Sequence, residues 1–297
     1  MRAVWSFWSE PYRAVAARTW GSDANHLLAW ALSFERARLH YPDTALVTDD
    51  AGARLLVDGL GLEFGNVSLG LNGLRDVDPQ WWTAGKLVAV AEQDEPFCHL
   101  DADVFLWSGL PERLVAAPVF AQNPESFGPG CDWYRPQAFE AAISGASGGW
   151  LPPAWRWPAA ARTPPRGECC GVVGGTDLAL LSGWAERGLR VLRHEPNRPA
   201  LAAVPERYKL VITLEQYLLA ACVEHLSAPI AYLFEDWADA TTPGRAAALG
   251  FTHLISDAKR GFGVRRRLAP RLHADHPERY ERLRALLKDG VEVEPVS

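Results

Sequence analysis

Two carboxylates, Asp101 and Asp103, interrupt the apolar run FCHLDADVFLW between Phe97 and Trp107. Residues two apart on a strand point to the same side, so at a strand end this pair converges on one point. Like charges held there repel. A divalent cation such as Mg²⁺ or Mn²⁺ removes the repulsion, because it takes one or two carboxylates and completes its shell with water and substrate phosphates. The spacing therefore suggests a metal-bound diphosphate, against the plainer alternative of a solvated acidic turn.

Other elements must bring such a site to a sheet edge. Val4 to Trp8 is a short apolar and aromatic run, followed at SEPY by what reads as a turn. ANHLLAWALSFERARLHYP repeats apolar residues at helical spacing and is punctuated by Pro42, and TALVTDD is a second strand ending in Asp49 and Asp50. The helix-like GARLLVDGLG, the strand-like FGNVSLGL and the helix-like WWTAGKLVAVAEQ lead into the strand before Asp101. Strands apolar on both faces that alternate with helices predict a mostly parallel sheet covered by helices, with ligands at the carboxyl ends of the strands. Asp49, Asp50, Asp101 and Asp103 all fall at such ends.

Further along, CCGVVGGTDLALLSGWAERG reads as strand, turn and helix, LEQYLLAACVEHL as helix and IAYLF as strand. HPERYERLRALLKDG reads as a terminal helix opened by Pro277 and closed by Gly290, within a helical segment at about 275–290. Residues 123–167 are rich in Pro, Gly and Trp, which suggests an ordered surface excursion. Its Trp150, Trp155 and Trp157 can form a platform for a ring-shaped ligand or the packed underside of the loop. Neither a repeat nor a boundary divides the chain, so residues 1–297 read as a single domain.

Composition limits the function classes. With 297 residues, 48% hydrophobic and 22% charged, the chain can bury a real core. A net charge of −6 gives no long-range attraction to nucleic acid or anionic lipid. The greasiest region, Leu210 to Phe234, is broken by Glu215, Glu224, His225 and Pro229, short of the about 18 apolar residues that read as a membrane span. The apolar stretch in MRAVWSFW is too short for a secretory signal. Cysteines at 98, 131, 169, 170 and 222 form no zinc-type pairs and fit reduced thiols in a cytoplasm. Cys169 and Cys170 are either a redox pair or two small apolar residues entering a buried strand.

HLDADVFLW, the preceding WWTAGKLVAVAEQ, and the later GVVGGTDLALL and LEQYLLAA together resemble the nucleotide-sugar-dependent glycosyltransferases of the GT-A fold. WSFW and HLDADVFLW also resemble a bacterial branch related to them. The resemblance spans most of residues 1–260. It implies a Rossmann-type α/β fold, with a mixed, mostly parallel sheet flanked by helices. It also implies a nucleotide-sugar donor, a UDP-sugar first, and a glycan, small-molecule or protein acceptor. Asp101 would then lie near the ribose or a metal-bound water, and Asp103 would ligate Mn²⁺ or Mg²⁺ directly. Within GFTHLISDAKRG, His253 corresponds to a further metal ligand, and Lys259 or Arg260 would reach phosphate. This ending departs from the Gly-x-Lys-Pro-Trp of one retaining branch, which leaves His253 as ligand or as structural histidine.

The same resemblance implies that Asp49 and Asp50 hydrogen-bond base or ribose, although both also suit a turn or helix cap. Lys86 would contact the nucleotide or be an ordinary helix lysine. Asp177 would bind donor-sugar hydroxyls or cap the next helix together with Thr176. Glu215 and Gln216 resemble an Asp-Gln pair whose amide lies near the anomeric carbon. In an inverting enzyme Asp177 or Glu215 would be the base, and retention against inversion stays open. His273 and His276 are explained by a helix start. Two rivals remain. A haloacid-dehalogenase-like phosphatase also uses Asp-x-Asp with Mg²⁺, but normally opens with that strand and ends its core in acidic ligands, where this chain has the basic DAKRGFGVRRR. The other rival is a catalytically inactive, carbohydrate-binding GT-A-like domain.

Overall fold

The structure is a computed structural model that describes residues 1–128, 130–156, 164–204, 207–260 and 262–288. Its central sheet begins with β1 (Arg2–Phe7), which is followed by α1 (Ser9–Trp20) and α2 (Asp23–Ala37). Next come β2 (Thr44–Thr48), α3 (Asp50–Ala53), β3 (Asn66–Ser68), α4 (Ala84–Ala91), β4 (Phe97–Leu100), β5 (Val104–Leu106), α5 (Glu112–Val115) and β6 (Phe120–Ala121). Then follow β7 (Pro124–Ser126), α6 (Pro136–Ser144), β8 (Arg166–Glu168), β9 (Val172–Gly175), α7 (Leu178–Arg193), α8 (Asn197–Ala203), α9 (Arg207–Ile212) and α10 (Leu218–Leu226). The chain closes with β10 (Ala231–Tyr232), α11 (Trp237–Thr241), α12 (Arg245–Ala248), β11 (Phe251–His253), α13 (Phe262–Asp275) and α14 (Pro277–Lys288).

Seven strands pair in the order β10-β6-β9-β4-β1-β2-β3. β1 lies between β2 and β4, with Val4 beside Ala45 on one side and His99 on the other. Every pairing in the sheet is parallel except the two made by β9, which runs against both β4 and β6. The expected mixed, mostly parallel sheet is therefore the one observed.

Both faces of the sheet are covered, and β1 shows why its run reads as continuously apolar. Val4 packs in a core with α4, α7 and α10, whereas Ala3 and Trp5 pack on the opposite face with α2, α13 and α14. From Ala3 to Trp5 successive side chains alternate between two dry layers, so none of these positions calls for a polar residue.

Two local readings of the sequence change. SEPY is not a turn: α1 starts at Ser9, whose N–H and hydroxyl donate to Asp49 Oδ2 at 2.9 and 2.7 Å. A carboxylate from the next strand supplies what a local cap normally provides. IAYLF keeps only Ala231 and Tyr232 as strand, although Leu233 and Phe234 still donate to Ala121 and Gln122 carbonyls at 3.2 and 2.9 Å. The closing Gly290 lies outside the described residues. Cys169 and Cys170 are buried free thiols beside the start of β9, as two small apolar residues would be.

The Pro- and Trp-rich excursion is ordered where described. β7 pairs with β8 antiparallel and α6 packs on α8. Trp155 is fully buried against Phe139 and Tyr217, at 5.3 and 5.4 Å between ring centroids, so it is packing and not a platform. Trp150 carries the Arg190 guanidinium 4.0 Å from its ring centre, and Trp157 lies outside the described residues. No helix among the described residues is long and apolar enough to cross a membrane.

Beside this excursion, Glu168 is fully buried with Arg166 at 2.9 Å, and Arg166 also reaches Glu224 at 2.7 Å. Burial pushes the Glu168 carboxyl up to about 7, despite the opposing Arg166 charge. Between its ordinary value of 4.5 and about 7, the folded chain holds a proton that the unfolded chain has released, so stability falls as pH rises through that window. Urea unfolding at pH 5 and pH 8 should therefore show a smaller loss between the two for Glu168→Gln than for the wild type.

Candidate functional site

β4 ends at Leu100, and the chain turns at once. Asp101 N–H donates to Gly171 carbonyl at 3.0 Å, and Val104 N–H donates back to Asp101 carbonyl at 2.9 Å. The turn puts Asp101, 31% exposed at its side chain, and Asp103, only 3% exposed as a residue, on the carboxyl edge of the sheet. β5 then pairs antiparallel with β11 in a register that sets His253 opposite Val104, and Leu254 N–H donates to Asp103 carbonyl at 3.0 Å. This pairing of positions 149 apart in the chain, His253 with Val104, delivers His253. One ligand atom each from Asp101, Asp103 and His253 lies within 4.8 Å of the others, and among the described residues this is the only such metal-competent group.

The orientation of His253 is fixed from behind. Its Nδ1 lies 2.8 Å from the side-chain oxygen of Gln122, which can only accept, so Nδ1 carries a proton and Nε2 presents a lone pair. That lone pair faces Asp103 Oδ2 at 3.5 Å. Two electron-rich atoms set face to face call for a cation between or beside them. Lys259 supplies one, with Nζ 2.6 Å from the same Oδ2. Burial alone would raise the Asp103 carboxyl, but the Lys259 charge outweighs it and holds the carboxyl far below the usual carboxylate range. Gly171 makes room for the arrangement, since a Cβ there would fall 2.5 Å from both the Gln122 oxygen and the His253 ring.

A second buried charge group adjoins the first. α4 returns toward β4 with its N-terminal end at the carboxyl edge of the sheet, so Lys86 in its first turn reaches the strand-end turn. All three ammonium protons have acceptors: Asp101 Oδ1 at 2.8 Å, Glu215 Oε1 at 2.5 Å and Cys170 carbonyl at 2.8 Å. Burial would lower the Lys86 pKa, yet Asp101 and Glu215 prevail and keep it protonated. Glu215 is raised, because burial and the Asp101 charge outweigh its share of Lys86. His99 lies behind this group, with Nε2 3.0 Å from Ser6 Oγ and Nδ1 3.9 Å from Asp101 Oδ1. Burial and Lys86 depress it and leave a neutral ring.

Asp101, Asp103, His253, Lys86, Glu215 and Lys259 thus come together. Others do not. Asp49 spends both oxygens on caps, taking Gly52 N–H at 2.7 Å besides the two Ser9 donors. Asp50 begins α3 at the same sheet edge, 45% exposed, with Arg75 at 3.9 Å. Asp177 stands apart: β9 runs antiparallel, so its end lies beside Phe97 at the opposite edge, and Asp177 caps α7 through Leu180 N–H at 3.0 Å. Gln216 meets the Tyr134 hydroxyl, which also donates to Glu125 at 2.7 Å. His276, between α13 and α14, lies 3.4 Å from Glu35, and His273 of α13 packs on Tyr280 of α14.

Sequence reasoning missed Gln122, although VFAQN repeats the pattern of HLDAD: an apolar strand followed directly by polar side chains. It also missed His26, which packs at 4.5 Å on Tyr12 and accepts from Trp30 at 3.0 Å. Burial, aided by Lys259, pushes this histidine down to about 3.

The donor set fits a divalent cation. Two carboxylates and one imidazole whose lone pair is already directed inward suit Mn²⁺, and the oxygens alone suit Mg²⁺. The buried Asp103 Oδ2, paired with Lys259 but with no well-directed hydrogen bond, is the atom such an ion would satisfy.

Residues 1–286 match the model of a family described as a family of unknown function, DUF6734. No curated protein matches the chain. Similar solved structures include the galactosyltransferase LgtC in complex with donor and acceptor sugar analogues, at 15% identity and TM-score 0.34, covering 72% of this chain and 70% of that one. An active-site mutant of LgtC is similar at 14% identity and TM-score 0.38, covering 96% and 95%. Mouse xyloside xylosyltransferase 1 in its apo form is similar at 11% identity and TM-score 0.36, covering 84% and 92%.

Removing Lys86 leaves the buried Glu215 and the partly exposed Asp101 without their cation. Lys86→Met should lower the unfolding free energy by about 3–5 kcal/mol in urea titrations at pH 7, and adding Glu215→Leu should recover part of that loss.

Proposed function

We propose that this chain, which belongs to the DUF6734 family, is a metal-dependent glycosyltransferase of the GT-A type that moves a sugar from a nucleoside-diphosphate donor, a UDP-sugar first, to a hydroxyl acceptor. The observation that carries the reading is the convergence of Asp101, Asp103 and a lone-pair-forward His253, with Lys259 resting on the same carboxylate.

In the reaction, the acceptor hydroxyl oxygen forms a bond to the anomeric carbon. The carbon–oxygen bond to the diphosphate breaks, its electron pair leaves on the phosphate oxygen, and the hydroxyl proton is released. Donor and alcohol thus give glycoside, nucleoside diphosphate and a proton. Asp101, Asp103 and His253 would hold Mn²⁺ or Mg²⁺, which when bound offsets the charge growing on the leaving group. Such stabilisation is worth several kcal/mol, and about 4 kcal/mol corresponds to roughly a thousandfold in rate. Lys259, drawn off Asp103, adds a second positive charge to the diphosphate. Lys86 orients Asp101 and keeps Glu215 in place. Asp50, with its carboxylate exposed at the end of β2, is the better placed of the two neighbouring aspartates to bind base or ribose, since Asp49 has no oxygen to spare. Gln216, next to Glu215 in the same helical turn, would offer its amide to the donor sugar.

Two measurements test this reading. Calorimetry with UDP and Mn²⁺ should give metal-dependent binding that Asp103→Ala abolishes while circular dichroism stays unchanged; unaltered binding by that variant refutes the site. Gln122→Leu should weaken Mn²⁺ binding about 10–100-fold, the usual cost of losing the group that orients a metal-bound histidine, while Gln122→Glu, which still accepts from Nδ1, should largely retain it. Rapid Mg²⁺-dependent turnover of a simple phosphomonoester would favour a phosphatase instead.

A further inference from the structure

Asp103 enters β5 and His253 ends β11, so both depend on a two-stranded ribbon that is separate from the central sheet. The ribbon pairs at three positions only: Phe251 with Leu106, Thr252 with Phe105 and His253 with Val104. A lone pair of strands is marginally stable, and a slip by one residue would turn His253 to the other face. Its register must be held from outside. Phe251 is held by Phe234, at 5.7 Å between ring centroids, and His253 by Gln122. The third β11 side chain, Thr252, takes the indole N–H of Trp107 at 3.0 Å.

Trp107 closes the far end of the ribbon with its backbone as well. Its N–H and that of Ser108 donate to the Gly250 carbonyl at 2.7 and 3.3 Å. Gly250 has a φ of +61°, and a Cβ there would fall 2.9 Å from the Ser108 nitrogen, so glycine is what lets the strands close this tightly. The indole is also where the ribbon meets the helices. Its centroid lies 5.1 Å from the Arg36 guanidinium of α2 and 5.0 Å from that of Arg271 of α13. Both cations reach Asp275 too, at 3.8 and 2.7 Å. The ring face and the carboxylate together offset the repulsion between two like charges that share one ring. α13 in turn follows the 3₁₀ turn Ser256–Lys259, which brings Lys259 to Asp103. Asp103, His253 and Lys259 thus stand on segments that meet at Trp107, although four strand residues, roughly 13 Å, separate it from Asp103.

We infer that Trp107 is a positioning residue of the cation site: by tying Thr252 to α2 and α13, it fixes the register of the β5–β11 ribbon and so the placement of Asp103 against His253. The consequence for a bound metal rests on the proposed metal-dependent reading; the clamp on the ribbon does not.

Amide hydrogen exchange of the whole protein without metal, and Mn²⁺ binding measured separately, test it. In Trp107→Leu the Leu254 amide, which donates to the Asp103 carbonyl, should exchange at least tenfold faster, while amides of β1 and β2 keep wild-type rates. Mn²⁺ affinity by calorimetry should fall about tenfold, and the imidazole-nitrogen coupling in the spin-echo spectrum of bound Mn²⁺ should weaken. Thr252→Val removes only the acceptor of the indole N–H and should show the same changes in smaller degree. Thr252→Ser keeps the hydroxyl and should match wild type. Wild-type Leu254 exchange or wild-type Mn²⁺ affinity in Trp107→Leu overturns the inference, as does faster exchange spread evenly through β1 and β2, the mark of a purely structural indole. Faster exchange confined to the ribbon, in a protein whose wild type binds no Mn²⁺, upholds the clamp and defeats the metal-dependent reading instead.

Discussion

One buried ammonium serves the buried Glu215 and the partly exposed Asp101, and the rest of the site depends on that unequal sharing. Lys86 joins the start of α4, the turn after β4 and the helical stretch before α10, three parts of the chain that among the described residues meet nowhere else through charge. Enclosing these groups is costly, and the cost is met only while every ammonium proton keeps its acceptor. The geometry is therefore stiff: Asp101 cannot rotate without exposing Lys86 to an unsatisfied contact, and Glu215 cannot leave without stranding both. The Asp101 carboxylate is thereby held at one angle by the same interaction that holds the fold together there.

The second charge group is built on the opposite logic. Asp103, His253 and Lys259 are joined through a short two-stranded ribbon and a 3₁₀ turn, and the histidine is steered by a neutral amide. Here the cation is a flexible side chain, 22% exposed, that can swing away. Fixed support on one side and exchangeable charge on the other suit a site that must admit and release a charged ligand.

Much of this was legible in the order of residue types. Apolar strands ending in Asp49 and Asp101 declare where the sheet edge lies, and the helix before β4 had to place Lys86 at that edge because crossovers in parallel sheets return along the strands. Strand direction was not legible for β9. A strand buried on both faces shows the same apolar run whichever way it points, so Asp177 read as part of the site although it lies at the other end of the sheet. The Gln122–His253 contact was hidden for a different reason. It links residues 131 positions apart through a pairing that only tertiary structure fixes.

Lys259 also alters how the affinity of this centre for a cation should be understood. Because an ammonium already neutralises Asp103 at 2.6 Å, an arriving ion would not enter an empty well; it would compete with a tethered charge whose local concentration never changes. The measured constant is then a ratio of two occupancies. It depends on how readily the lysine finds another anion, so a ligand that offers one strengthens the hold on the ion without touching it.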